Sequence, residues 1–133
     1  MFLERLLNQT NAPLLEQVAR FTSARQRLIT ENIANIDTPG YRQKDLSVGE
    51  FYGMLKERAD SRTGSAPGSV RFDDIAMKVE NPRRWLLFHD GNNRSMENLA
   101  SDMAKNAMMH NLAIELLRKQ YQSMEMALRE RLT

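Results

Sequence analysis

From Met96 to Leu128 one set of positions recurs at alternating spacings of four and three without a slip. Its members are Met96, Ala100, Met103, Ala107, His110, Ile114, Leu117, Tyr121, Met124 and Leu128. This is a heptad a/d seam sustained for more than four heptads. At 1.5 Å per residue it predicts a helix of about 50 Å. Ser95 stands where a side chain caps, and Glu97 suits the positive helix start. Such a stripe has to be covered, because helix stability in water comes mostly from packing an amphipathic face.

The obvious intramolecular partner is the N-terminal run. Thr10, Asn11 and Pro13 make a start or break, with Glu16 in the first turn. Leu14, Leu15, Val18, Phe21, Leu28, Ile29, Ile33 and Ile36 then follow helical spacing on an otherwise charged helix. Arg20, Arg25, Arg27 and Glu31 read as a solvated face. Leu3, Leu6 and Leu7 either extend this helix backwards or form a separate short one. Two helices bury only one side of each other, so the core is small and assembly is expected.

The N-terminal helix is made to stop at Asn32-Ile33-Ala34-Asn35-Ile36-Asp37-Thr38-Pro39-Gly40-Tyr41. Pro39 disfavours the helical region for Thr38 and has no N–H to donate. Pro39-Gly40 suits the central pair of a type II turn, since Gly40 tolerates the positive φ required there. Asn32 and Asn35 are three apart and project from one face, where a side-chain amide needs partners and often fixes register. A plain helix C-terminus with polar residues near its end accounts for the same pattern.

Behind the stop the sequence is mixed and turn-rich. Ser47-Val48-Gly49-Glu50 fits a capping box opening a short helix with Phe51, Met54, Leu55 and Arg58. Residues 61–69, rich in Ser, Gly and Pro, read as a flexible loop. Val70 to Val79 reads as extended, with Ile75, Met77 and Val79 on one parity, Val70 and Phe72 on the other, and a bulge or turn at Asp73-Asp74. Asn81-Pro82 breaks that run, Trp85-Leu86-Leu87-Phe88 is a second short apolar stretch, and residues 89–93 read as a turn. The two stretches suit a small hairpin, which is marginal alone.

The chemistry is sparse. The net charge of +2 is too small to point to nucleic acid or an anionic membrane. Zero cysteines exclude a disulfide scaffold, a zinc-thiolate site and a thiol nucleophile. His89 and His110 lack neighbours at metal-ligand spacing, and His110 falls on the seam. His89-Asp90 beside a turn and the Asp73-Asp74 pair are the remaining candidates for acid–base work, and solvated loop residues explain both. No phosphate loop, nucleophile elbow or His-Glu metal helix is present. Arg83-Arg84-Trp85 is too short for a nucleic-acid surface. Six of the nine methionines lie between Met96 and Met126, which suits adaptable packing and ordinary helix preference equally. The start lacks the basic lead and apolar run of a cleavable signal, and no stretch is apolar enough to span a membrane. The chain is expected to be cytosolic or to leave by a route without signal cleavage.

The stretch with Asn32, Ala34, Asn35, Thr38, Pro39, Gly40 and Tyr41 resembles the N-terminal signature of flagellar rod and hook proteins, Asn-x-Ala-Asn-x-x-Thr-Pro-Gly-Tyr. Arg42-Gln43-Lys44-Asp45-Leu46, Asn81-Pro82-Arg83 and Asp90-Gly91-Asn92-Asn93 resemble the small proximal-rod branch of that family. Where that branch usually opens its last helix with acidic and arginine residues, this chain has Ser95-Met96-Glu97-Asn98. Phe2-x-x-x-Leu6 is similar to the gate-recognition pattern of exported flagellar subunits. The resemblance implies a structural protein and not an enzyme, with no cofactor and no metal. It implies export by the flagellar type III apparatus, a place in the periplasmic rod of the basal body, and helical polymerisation. Partners would be other rod proteins, the MS-ring adaptor, the export gate and further copies, with no nucleic acid or small-molecule substrate.

The expected fold is mainly α. Long N- and C-terminal helices pair as an antiparallel coiled coil around a small irregular, β-containing middle. Residues 1–40 and 93–133 form the inner domain and residues 41–92 the linker. On the N-terminal side the seam uses Leu14, Val18, Phe21 and Leu28. Another rod paralogue and a free-standing helical adaptor or chaperone are the alternatives.

Overall fold

The computed structural model describes residues 2–80 and 92–132. Asn81-Pro82, Arg83-Arg84-Trp85, the Trp85–Phe88 stretch, His89-Asp90 and the side chain of Phe2 lie outside the described residues. A short helix α1 (Phe2–Gln9) leads into α2 (Ala12–Ala34). Strand β1 (Asp45–Leu46), helix α3 (Val48–Ser61), a 3-10 turn (Arg62–Gly64) and β2 (Val79–Glu80) make up the described middle, and α4 (Asn92–Leu132) closes the chain.

The first leucines form their own helix because Thr10 ends it. The Thr10 hydroxyl donates to the Leu7 carbonyl at 2.7 Å and accepts the Ala12 amide at 3.2 Å. One side chain thus finishes α1 and starts α2, where Pro13 in the first turn needs no donor. Asn11 occupies the cap position but makes no capping hydrogen bond.

Helix α2 is the wall on which both other layers pack. On one side the α3 layer meets it in an aromatic core. Phe21 and Phe51, each 1% exposed, stack at 4.0 Å between ring centroids, and Tyr52 meets both edge-on. Val18, Leu46, Leu55, Phe72, Ile75 and Ala113 complete the cluster, with Leu14 and Leu28 at its edge. Beside this core α4 runs past α2 in the opposite chain direction, contributing Ala113 to it. Asp102 approaches Arg25, Asn106 bonds to Gln26 and Thr22, His110 meets Thr22, and Leu116 to Ser123 flank Leu14 and Leu15. At 41 residues α4 spans roughly 60 Å against roughly 35 Å for α2. Every residue from Glu125 to Leu132 is exposed.

Several expectations for the middle change. Ser47 does precede α3, but its side chain makes no cap bond, and Glu50 pairs with Lys78 at 3.1 Å instead of reaching back. Within the 70–79 run only Val79 is in a strand, and its antiparallel partner is β1, with Leu46 opposite Val79 and Asp45 opposite Glu80. Asp73-Asp74 does form a turn, which is why Phe72 and Ile75, of opposite parity, both point inward. Residues 61–69 are tied down. Ala66 to Ser69 closes as a turn with Gly68 at φ +75°, and a Cβ there would lie 2.6 Å from the Arg5 carbonyl oxygen. Asn92 and Asn93 belong to α4, and Ser95 lies inside it rather than at its cap.

Candidate functional site

The Asn32–Tyr41 stretch is built from two amides with different tasks. Asn32 is 2% exposed. Its amide nitrogen donates to the Lys44 carbonyl at 2.6 Å while its oxygen accepts the Lys44 amide at 3.0 Å and the Tyr41 hydroxyl at 3.4 Å. The side chain thereby pairs with the backbone of residue 44 as a strand neighbour would, and delivers the chain to β1. Asn35, half-buried, works within its own turn. It donates to the Glu31 carbonyl at 2.8 Å and accepts the Thr38 hydroxyl at 3.2 Å. Tyr41 N–H then donates to the Thr38 carbonyl at 3.3 Å across Pro39-Gly40, and Gly40 has φ +75°, as the third position of a type II turn requires. A Cβ on Gly40 would meet nothing within 4 Å, so substitution strains the backbone alone. Gly40→Ala is expected to cost about 1–2 kcal/mol of unfolding free energy in a urea titration, with no change in the folded structure.

Arginines lock this junction and the one before it. Arg25 grips Asp45 with two bonds of 2.9 and 3.0 Å and also lies 3.9 Å from Asp102, so it ties α2 to β1 and to α4. Burial strips solvent from its guanidinium, but the hydrogen bond and charge of Asp45 outweigh that loss and raise its pKa. It is therefore not part of a solvated face. Arg62 donates to the Thr10 carbonyl at 2.8 Å, the Asn8 carbonyl at 3.3 Å and Asn11 Oδ1 at 3.1 Å, with its guanidinium 4.5 Å over the Phe72 ring. Burial pushes its pKa down. Neither role has a local sequence signature, because the hydrogen-bonding partners of each arginine lie far away in the chain.

The seam on α4 divides into columns. Met103, His110, Leu117 and Met124 are half-buried. The second column facing the interior is Leu99, Asn106 and Ala113, at 3%, 3% and 2% exposure, with half-buried Gln120 in line. The column expected there sits one residue further on. Of it, Ala107 is half-buried, while Ala100, Ile114, Tyr121 and Leu128 are exposed, the last three at 37%, 47% and 52%; Met96, in the first column, is exposed as well. The physical reason is visible at the level of Asn106. Helix α2 presents there the Thr22 carbonyl and the Gln26 side-chain oxygen, each 2.8 Å from the Asn106 amide nitrogen. An apolar count assigns such a position to alanine; hydrogen bonding assigns it to asparagine. Val18 and Phe21 are buried in the aromatic core beside Ala113, and Leu14 and Leu28 are half-buried at its edge.

Among the described residues, no cluster of His, Cys, Asp and Glu could hold a metal ion, and no helix is long and apolar enough to cross a membrane. Thr22 Oγ1 lies 2.8 Å from His110 Nδ1, which makes this histidine a packed member of the helix interface. What the molecule offers is surface: a long helix whose apolar flank is left open by its own partner.

Comparison with known proteins agrees with that picture. The family described as "Flagella basal body rod protein" matches residues 22–42, the end of α2 and the turn beyond it. The chain is 25% identical over 118 residues to the flagellar basal body rod protein FlgB of Salmonella typhimurium, covering 82% of this chain and 86% of that one. It is 27% identical over 127 residues to FlgB of Yersinia enterocolitica, covering 86% and 90%. To FlgB of Bacillus subtilis it is 26% identical over 119 residues, covering 86% and 89%. That family is one of structural flagellar components and not of enzymes. The signature turn and the collinear match along most of the chain make this protein similar to the flagellar basal-body rod proteins.

Proposed function

We propose that the protein is a structural subunit of the proximal flagellar rod, polymerising helically through its terminal helices. The observation that carries this reading is the outer flank of α4, where Ile114, Tyr121 and Leu128 stay exposed on a helix that outruns its partner. Apolar residues repeated along 41 helical positions are costly to leave in water and suit burial between neighbours. In the rod, α2 and α4 act as an antiparallel coiled coil. The seam from Met96 to Leu128 is completed by adjoining subunits, both further copies and other rod proteins. The motif residues Asn32, Ala34, Asn35, Thr38, Pro39, Gly40 and Tyr41 fix where α2 ends and so how the middle segment leaves the inner layer. The subunit links the MS-ring adaptor and export gate to the rod, reaching the periplasm through the flagellar type III apparatus without signal cleavage. No cofactor takes part.

The double variant Ile114→Asp, Leu128→Asp tests this. Both positions are exposed in the single chain, so its helical circular dichroism and its export should be unchanged. Two charges on the flank should abolish rod formation, leaving cells without filaments and non-motile. Normal filaments on cells carrying the double variant would overturn the proposal.

A further inference from the structure

Helix α4 carries two seams that share Met103, His110, Leu117 and Met124 and differ in their second column. The column packed against α2 is Leu99, Asn106, Ala113 and Gln120; beside it runs Ala100, half-buried Ala107, Ile114 at 37% exposure and Tyr121, which lines a cleft with Ala12 and Gln17, continuing to Leu128. The two are neighbours on the helix, separated by one residue or about 100° of rotation. Burial of apolar surface alone favours the outer column, which offers Ile114 and Tyr121 where the inner one offers Ala113 and Gln120. The fold does the opposite.

We infer that the Asn106 amide selects which flank of α4 faces α2, and so keeps Ile114 on the outer side of that contact. Asn106 is 3% exposed, and its amide nitrogen donates at 2.8 Å to both the Thr22 carbonyl and Gln26 Oε1. One turn further along α4, His110 Nδ1 sits 2.8 Å from the hydroxyl of Thr22, itself 1% exposed. These four residues form a polar layer inside the α2–α4 contact. Rotating α4 to bury the outer column would set the Ala107 methyl group against Gln26 and strip both bonds from Asn106. A single buried amide in a heptad seam is known to fix register at a cost in stability. Here it fixes rotation, and with it the side of the contact on which Ile114 lies. This inference concerns the single chain and stands whether or not the rod reading does.

The chain has no cysteine, so one introduced thiol reports one position. Ala113 is 2% exposed and Ile114 37%, side by side on the two columns. In otherwise unchanged soluble protein, Ile114→Cys should react with a maleimide at least about tenfold faster than Ala113→Cys. Adding Asn106→Leu should shrink that ratio to within about threefold or invert it, while the helical circular dichroism persists. Gln26→Met, which removes only the acceptor, should shift the ratio in the same direction. A ratio unchanged by both substitutions overturns the inference, as does equal reactivity of the two thiols in the unsubstituted background. Should Asn106→Leu unfold the chain, making both thiols as reactive as in urea, Gln26→Met alone decides. A full ratio in that variant overturns the inference; a reduced one supports it.

Discussion

Phe21→Ala is expected to lower stability by about 3–5 kcal/mol, the range for truncating a buried aromatic side chain. The ring is 1% exposed, stacks on Phe51 at 4.0 Å with 10° between planes, and takes Tyr52 edge-on at 6.0 Å. It stands where α2 meets α3, so its loss opens a cavity that neither element can close alone. Domains have roughly 5–15 kcal/mol in total, and one that leaves so much of its longest helix exposed belongs near the lower end. With a slope of about 1–3 kcal/mol per molar urea, the unfolding midpoint should fall by about 2 M or the cooperative transition should vanish. Phe21→Leu keeps apolar volume while removing the stack, and should cost less than about half as much. Equal midpoints for Phe21→Ala and the parent chain would mean that the aromatic core does not hold the middle segment to α2.

How much of this was legible in the sequence depends on the range of the interactions. Helices α2 and α4 were visible because 3.6-residue periodicity is a local pattern repeated many times. The turn at Thr38-Pro39-Gly40-Tyr41 was visible because proline and glycine act on their own dihedral angles. The β1–β2 pair is not legible because Leu46 and Val79 meet across 33 residues, and a two-residue strand has no period to read. The seam on α4 shows a limit of periodicity. An apolar count locates a stripe to within one residue, yet cannot say which edge of it a partner's polar atoms will claim. Arg25 reads as part of a solvated face for the same reason, since the carboxylate it serves is brought to it by the fold. The free apolar flank is not legible from periodicity, because a regular seam does not say which of its positions the intramolecular partner leaves uncovered.

Asn32 should be the most sensitive position within the signature stretch, Asn32→Leu being damaging and Asn32→Asp worse still at neutral pH. Leucine keeps the branching at Cγ but is larger and leaves the Lys44 N–H and C=O without the amide that now meets them at 3.0 and 2.6 Å. Buried polar groups left unpaired cost about 1–3 kcal/mol each, and the exposure of the Lys44 side chain holds the total to about 2–3 kcal/mol because water can reach part of the site. Aspartate retains an acceptor for the Lys44 amide but turns a second oxygen toward the carbonyl, where a donor is required. Repulsion from that carbonyl and burial both disfavour the carboxylate, so the introduced acid should have a raised folded-state pKa. The sign follows from linkage. A raised folded pKa gives stability that is present in acid, where the protonated group can donate to the Lys44 carbonyl, and is lost as pH rises through the folded value. Urea midpoints at about pH 4 and about pH 7 should therefore diverge for Asn32→Asp, the acid value being the higher relative to the parent chain. Asn32→Leu should show no such divergence, and Asn35→Ala, whose bonds stay within one exposed turn, should cost less than about 1 kcal/mol at either pH. Exchange of the Ser47 amide, which donates to the Lys78 carbonyl at 2.9 Å beside the strand pair, should accelerate in both Asn32 variants and not in Asn35→Ala. If all three variants behaved alike, the buried amide would be a bystander, and the end of α2 would be set by Pro39 and Gly40 alone.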